Sequence, residues 1–205
     1  MKHRKLVLST DNIHKVKEIQ DILSDLPIEV LSKKEIGLED IDVVEDGKTL
    51  EENSIKKSKA LADNIDYMVM ADDSGLFVEA LGGKPGVYSA RYAGKDGDDA
   101  ANNKKLLKEL EKVPFEDRIG SFMTVISLIT EEKEIFTIKG ECKGHILFEP
   151  RGENGFGYDP LFVPEGYDRT FGELDEDTKN RISHRGRALD KMKGLLVQLI
   201  EEGLK

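Results

Sequence analysis

An α/β fold with a mixed sheet is predicted by three observations: short apolar runs alternate with helical periodicity, a β-rich hairpin pattern fills 119–141, and an amphipathic helix closes the chain. Lys5-Leu6-Val7-Leu8-Ser9 is a short apolar run bounded by polar residues, so it reads as a strand, and Val16, Ile19, Leu23 and Leu26 follow at helical spacing. Residues 29–32 read as a second strand, and 49–65 as a charged helix with a thin apolar face of Leu50, Ile55 and Leu61. Strand-like residues 67–71 and 76–78 flank Asp72-Asp73-Ser74-Gly75, four turn-forming residues that read as a turn. Leu81-Gly82-Gly83-Lys84-Pro85-Gly86 is a loop by composition, and 98–110 is helical. Phe, Val, Ile and Thr dominate 119–130, and Glu131-Glu132-Lys133 then turns the chain into 134–141. The segment 148–172, crowded with Gly, Pro and aromatics, is too long for a connector and is a candidate for function. Ala188, Leu189, Met192, Leu195, Leu196, Leu199 and Ile200 form one stripe on a terminal helix. No internal repeat or linker interrupts the chain, so a single domain over 1–205 is expected.

Composition narrows the classes of function. A chain of 205 residues can bury a full core, and a formal net charge of -10 disfavours nucleic acid or an anionic membrane as partner. A small anionic ligand would have to be met by a few placed cations or a metal ion. The single cysteine, Cys142, excludes an internal disulfide and suits a reducing cytoplasm. The charged start, residues 1–5, leads into a short strand rather than a signal-peptide core, and no apolar run reaches membrane-spanning length. Two apparent nucleotide motifs fail: Gly47-Lys48-Thr49 has Asp42 where a phosphate loop needs its first glycine, and Gly155-Phe156-Gly157 has Pro160 in the third glycine position. His3, His14, His145 and His184 are scattered, which argues against a histidine-built zinc site.

Several segments carry candidate chemistry, each with a structural alternative. Thr10-Asp11-Asn12-Ile13-His14-Lys15 leads from a strand into a helix, where backbone N–H groups and a lysine favour phosphate; equally, Asp11 or Asn12 caps the helix and Lys15 is solvated. Asp72 and Asp73 repel one another, which a magnesium ion shared with phosphate oxygens would relieve, or they belong to a plain acidic turn with Gly75 at positive φ. Around Glu51, Glu52, Asn53, Lys56, Lys57 and Lys59 the choice lies between a solvated charged face and a helix that offers a metal carboxylate and a phosphate lysine. Phe156, Gly157, Tyr158 and Asp159 present rings for stacking a base or belong to the core. Ser183-His184-Arg185 either caps the last helix or offers donors to a base carbonyl.

Six blocks in order resemble the inosine triphosphate pyrophosphatase family: Thr10-x-Asn12-x-x-Lys15-x-x-Glu18, Thr49-x-x-Glu52-Asn53-x-x-x-Lys57, Ala71-Asp72-Asp73-Ser74-Gly75-Leu76, Leu81-Gly82-Gly83-x-Pro85-Gly86-Val87-Tyr88-Ser89-Ala90-Arg91, Gly155-Phe156-Gly157-Tyr158-Asp159-Pro160 and Lys179-x-x-x-Ser183-His184-Arg185. The resemblance implies an elongated mixed sheet flanked by helices, two lobes with a central cleft, a homodimer, and hydrolysis of ITP, dITP or XTP to the monophosphate and pyrophosphate. It also implies that Thr10, Asp11, Asn12, Ile13, His14, Lys15 and Lys57 hold the triphosphate, and that Asp73 is the general base with Asp72 assisting. Mg²⁺ would sit on Asp73 and Glu45, with Asp42 or Asp46 as alternatives to Glu45. Ser74 would touch the substrate, Phe156, Gly157, Tyr158 and Asp159 the base and sugar, and Lys179, His184 and Arg185 the purine. Ser54 and Ser58 depart from the alanines frequent in the family's second block. Two rivals are a septum-inhibitor-type pyrophosphatase acting on modified pyrimidine or methylated guanine triphosphates, disfavoured by Ser183-His184-Arg185, and a non-catalytic nucleotide-binding module, disfavoured by the Asp72-Asp73 pair.

Overall fold

The computed structural model describes residues 4–202, so the first three residues of the charged start lie outside it. In chain order it contains β1 (Arg4–Leu8), α1 (Ile13–Leu23), β2 (Ile28–Ser32), α2 (Leu50–Ala62), β3 (Met68–Val78), β4 (Lys84–Pro85), α3 (Asp99–Glu109), β5 (Ile119–Ile129), β6 (Ile135–Ile146), β7 (Phe162–Pro164), α4 (Glu176–Ile182) and α5 (His184–Glu202). The strands form one sheet in the order β2-β1-β3-β5-β6-β7, with β4 paired to β3. β1 runs parallel to β2 and β3, whereas β4 is antiparallel to β3 and β7 to β6, so the predicted mixed sheet is borne out. No helix among the described residues is long and apolar enough to cross a membrane.

Contacts divide the chain into two compact units. The first holds the residues up to Asp73, Val125–Lys139 and the residues from Arg187 on; the second holds Ser74–Thr124 and Gly140–Gly186. Strand alternation organises the first unit. Leu6, Leu8, Met68 and Met70 join Ile19 and Leu23 of α1 and Ala188, Leu189, Met192 and Leu196 of α5 in one core, while Val7 and Val69 join Leu61 and Ala62 of α2 in another. The residues register as Leu6 with Met68, Val7 with Val69 and Leu8 with Met70, so neighbouring strands agree about which residues face which way. The stripe predicted on the terminal helix thus packs as expected.

The segment read as a turn, Asp72-Asp73-Ser74-Gly75, is instead the middle of β3, an eleven-residue strand buried at nearly every position. Central strands covered on both faces override the turn preference of Asp, Ser and Gly. Gly75 is not at positive φ; it is required because a Cβ there would collide with the carbonyl oxygen of Gly86. The loop expected at 81–86 contains the short strand β4, flanked by 3₁₀ turns at Glu79–Leu81 and Gly86–Arg91. Near the end of the 148–172 segment the chain forms β7, and α4 follows it; neither element has apolar periodicity long enough to be seen in the sequence.

Helix α2 explains the family departures at Ser54 and Ser58. Its inward face is Leu50, Asn53, Ser54, Lys57, Ser58, Leu61 and Ala62, with Ile55 only half-buried, so the apolar face looked thin because most of the buried stripe is polar. The Ser54 hydroxyl lies 2.8 Å from the Ser127 hydroxyl of β5 and 3.1 Å from the Ala71 carbonyl, and Ser127 lies 2.9 Å from Ser58. All three serines are fully buried, so this hydroxyl cluster joins α2 to the sheet where an alanine would have relied on packing alone.

In the second unit, Leu76, Val78, Leu106, Phe122, Phe162 and Phe171 form the centre of the core. The buried Arg118 guanidinium donates to the carbonyls of Leu110, Val113 and Leu147, tying the end of α3 to the flanking strands. Ser54→Ala, which takes one partner from the buried Ser127 hydroxyl and one from the Ala71 carbonyl, is expected to lower stability by about 1–2 kcal/mol in urea unfolding, while Ser54→Ala/Ser58→Ala/Ser127→Ala costs less than the sum of the three single changes. Additive losses across the three positions would show that the hydroxyls act independently.

Candidate functional site

The alternation of β3 settles where the acidic pair points. Asp72 continues the face of Met68 and Met70, on which α1 packs, and Asp73 continues the face of Val69, on which α2 packs. Each carboxylate therefore meets a lysine from a different helix. Lys15 Nζ lies 2.9 Å from Asp72 Oδ2, and Lys57 Nζ lies 2.9 Å from Asp73 Oδ1. The repulsion between the neighbouring acids is relieved by separation onto two faces and by two cations.

Lys57 also approaches Glu45, its Nζ 3.3 Å from Glu45 Oε1, so one ammonium gathers the two carboxylates that the resemblance assigns to a metal. Asp46 pairs with Lys56 and Asp42 accepts its neighbour's N–H at Val43, whereas Glu45 lies beside Lys57. Asn53, absent from the predicted site, bridges the arrangement: its Nδ2 donates to Asp73 Oδ2 at 3.2 Å and its Oδ1 accepts from Gly47 N–H at 2.8 Å. The Gly47-Lys48-Thr49 stretch therefore serves α2 instead of forming a phosphate loop, with Thr49 as N-cap and Glu52 accepting from Lys48 N–H. Glu51 is engaged by Thr137 and Lys139.

These contacts shift the ionisation of the cluster. Asp73 is only 6 % exposed; burial raises its pKa, the neighbouring Glu45 raises it further, and Lys57 and Lys15 oppose both. Burial alone would push the Lys57 ammonium down, but Asp73, Glu45 and Asp72 outweigh it and hold its pKa above the ordinary value.

At the start of α1, Asn12 is the N-cap, its Oδ1 accepting from His14 and Lys15 N–H, and Thr10 Oγ1 accepts from Asn12 N–H. The capping alternative thus holds for Asn12, while Lys15 is committed to Asp72 rather than left to solvent. Asp11 pairs with Lys33, and Ile13 and His14 are exposed.

The second unit holds the other predicted residues. Ser74 Oγ lies 2.9 Å from Thr124 Oγ1 and receives a 3.3 Å bond from Arg185 Nη2. The Phe156 ring is only partly buried and has the Lys179 ammonium 4.7 Å and the Arg185 guanidinium 5.5 Å from its centroid. His184 stacks on Phe122 at 4.9 Å, and Ser183 Oγ accepts from Gly186 N–H, capping α5 as the structural alternative supposed. Tyr158 is buried in the core with its hydroxyl donating to the Ser89 carbonyl, so it follows the core alternative. Asp159 is likewise buried, accepting from Phe156 N–H at 2.8 Å and from Lys179 Nζ at 2.9 Å. Thr124 and Phe122 were invisible in the sequence as site neighbours because Ser74 and His184 lie far from them along the chain.

Among the described residues no group of three or more His, Cys, Asp or Glu side chains could hold a metal ion. Asp73 and Glu45 offer two hard oxygen donors, which fits a magnesium ion completed by phosphate oxygens and water and does not fit zinc.

The Ham1 family model matches residues 6–195 of this chain. The chain is similar to the dITP/XTP pyrophosphatase of Caldanaerobacter subterraneus subsp. tengcongensis, 49% identical over 199 residues that cover 97% of this chain and 98% of that protein. It is also 48% identical over 204 residues to the dITP/XTP pyrophosphatase of Clostridium perfringens, covering 97% of this chain and all of that one, 100%. Among solved structures, the Ham1 protein of Staphylococcus aureus superimposes with a TM-score of 0.85 at 40% identity, covering 98% of this chain and 100% of that one. The family resemblance carried by the six sequence blocks is borne out, and so is the α/β fold. With a match from residue 6 to residue 195 and relatives of nearly half identity along their full length, the chain belongs to the Ham1 family.

Proposed function

We propose that this protein hydrolyses non-standard purine nucleoside triphosphates, ITP, dITP and XTP, to the monophosphate and pyrophosphate. The observation that carries the reading is the buried Lys57 ammonium holding Asp73 and Glu45 together, in a chain whose relatives of 48% and 49% identity are dITP/XTP pyrophosphatases. Water attacks the α-phosphorus, the bond to the bridging oxygen of the β-phosphate breaks, and pyrophosphate leaves. Asp73 accepts the proton of the attacking water. Its raised pKa supports this role, because a general base works best when its pKa lies close to the operating pH. Lys57 and Lys15, oriented by the acids they pair with, present their charge to the phosphates and stabilise the charge that gathers on the leaving group. Asp72 keeps Lys15 in place. Asp73 and Glu45 would hold a magnesium ion, which when bound would supply Lewis-acid neutralisation of that charge.

Phe156 offers a partly open ring for the purine, and Arg185 a donor-only group for the 6-carbonyl that hypoxanthine and xanthine carry and adenine lacks. Lys179 and His184 support the same end, while Gly157, Tyr158 and Asp159 shape it from behind. Thr10, Asp11, Asn12, Ile13 and His14 form the entry to α1, beside Lys15, for the phosphate chain. A cytoplasmic homodimer belongs to the same reading, and sedimentation of the purified chain at twice its monomer mass checks the oligomer.

Pyrophosphate release from ITP, XTP, dGTP, ATP and dTTP, with and without Mg²⁺, tests the function: ITP and XTP should lead and chelation should abolish turnover. A preference for dTTP would select the septum-inhibitor-type activity, and no release from any would leave a binding module. Asp73→Asn is expected to lower kcat by a factor on the order of 10³ or more with the fold intact, as measured by circular dichroism. Arg185→Gln, which can donate or accept, is expected to shrink the ITP-over-ATP ratio of kcat/KM by roughly tenfold.

Lys57→Met should destabilise the fold by about 3 kcal/mol near pH 8, because it leaves buried Asp73 without its cation. The folded-state pKa of Asp73 is raised, so the folded chain binds the proton more tightly than the unfolded chain, and stability falls as pH rises through that value. The deficit of the variant should therefore narrow on acidification toward the ordinary aspartate range, as thermal melts at both ends would show.

A further inference from the structure

Gly157 sits in the loop that carries Phe156, with φ of 63°, and both of its peptide groups are held by α3. Its N–H donates to Asp99 Oδ2 at 2.7 Å, and its carbonyl accepts from Asn103 Nδ2 at 2.9 Å. Asp99 and Asn103 lie four residues apart on α3 and so share one face of that helix. On the other side of Phe156, Asp159 Oδ2 accepts from Phe156 N–H at 2.8 Å and Asp159 N–H donates back to the Phe156 carbonyl at 3.2 Å. Tyr158 is then anchored by its hydroxyl on the Ser89 carbonyl. The backbone on both sides of the Phe156 ring is thus fixed, once from within the loop and once from α3.

Asn103 carries a sign that the grip has a purpose. Its Oδ1 is buried without a hydrogen-bond partner among the described residues, while its Nδ2 is committed to Gly157. An orphaned buried acceptor is unfavourable, and an apolar residue would avoid it; what asparagine brings to this position is its donor half. Asp99 Oδ2 matches this with an acceptor for the adjoining N–H, so the pair reads both ends of one residue.

We propose that Asp99 and Asn103 are positioning residues for purine recognition. By gripping Gly157 they hold the Phe156 ring at the distance from Lys179 and Arg185 that leaves its open side to the base. The proposal rests on the reading that Phe156 and Arg185 contact the purine. It assigns a purpose to two α3 side chains that lie outside all six sequence blocks.

Steady-state kinetics on the full chain with ITP and ATP test it, using Asp99→Ala, Asp99→Asn and Asn103→Asp. Asn103→Asp keeps the shape but sets an acceptor against the Gly157 carbonyl. It and Asp99→Ala should each raise KM for ITP by about tenfold, the effect of one lost hydrogen bond, with kcat within about twofold and the melting temperature held. Asp99→Asn keeps an acceptor for Gly157 N–H and should stay within about twofold of the wild type in KM. Combining Asp99→Ala with Asn103→Asp should raise KM no further than the worse single change, since both act through Gly157. Unchanged KM, a lowered melting temperature with unchanged KM, or Asp99→Asn as damaging as Asp99→Ala would each overturn the proposal while leaving the catalytic reading standing. A wild type that releases no pyrophosphate from ITP would overturn both.

Discussion

The period-two alternation of β3 is the constraint on which the chemistry of this protein depends. A strand cannot point two successive side chains to the same face, so Asp72 and Asp73 part company at the Cα and are claimed by different helices. Had the four residues formed a turn, both carboxylates would have faced solvent on one side and needed a single counter-charge. In β3 they become two buried ion pairs, Asp72 with Lys15 and Asp73 with Lys57, each backed by its own core. The apolar residues preceding them, Met68, Val69 and Met70, enforce the parity through their register with β1. Slipping that register by one residue would exchange the partners of both acids.

The cost of this arrangement falls on α2. A helix that buries Asn53, Ser54, Lys57 and Ser58 gains little from the hydrophobic effect, and its attachment relies on Leu50, Leu61 and Ala62, the Thr49 N-cap and a cluster of serine hydroxyls reaching Ser127. Polar burial of this kind is tolerable only when each group is satisfied. Asn53 shows how tightly the accounting is drawn, with its donor on Asp73 and its acceptor on Gly47 N–H. On the proposed reading, a cation and a base held in a low-dielectric setting are then ready to act on charge that develops during phosphoryl transfer.

Much of this was legible in the residues. Apolar periodicity located β1, α1, the β5–β6 hairpin and α5, because those elements bury continuous stripes. Local chemistry failed where tertiary context reversed it: Asp72 to Gly75 look like a turn until the strands beside them are known. It also failed where polar residues occupy the core, as in α2, where Ser54 and Ser58 looked like mere departures until Ser127 was found against them. For the candidate site, the sequence blocks gathered the candidate residues but could not divide them. Tyr158 and Asp159 stand beside Phe156 in the chain, yet they are buried supports while the ring of Phe156 stays partly open. Asp99, Asn103 and Thr124 left no trace because their partners lie far along the chain.

The balance of forces at Asp73 is open to direct measurement. Carbon-13 NMR titration of the Asp73 carboxyl, assigned by comparison with Asp73→Asn, would report its pKa in the magnesium-free protein. The account predicts a value above the roughly 3.9 of an unperturbed aspartate, raised by burial and by Glu45, and higher again in Lys57→Met. A carboxyl that titrates at or below the unperturbed value, or that is indifferent to the loss of Lys57, would contradict it.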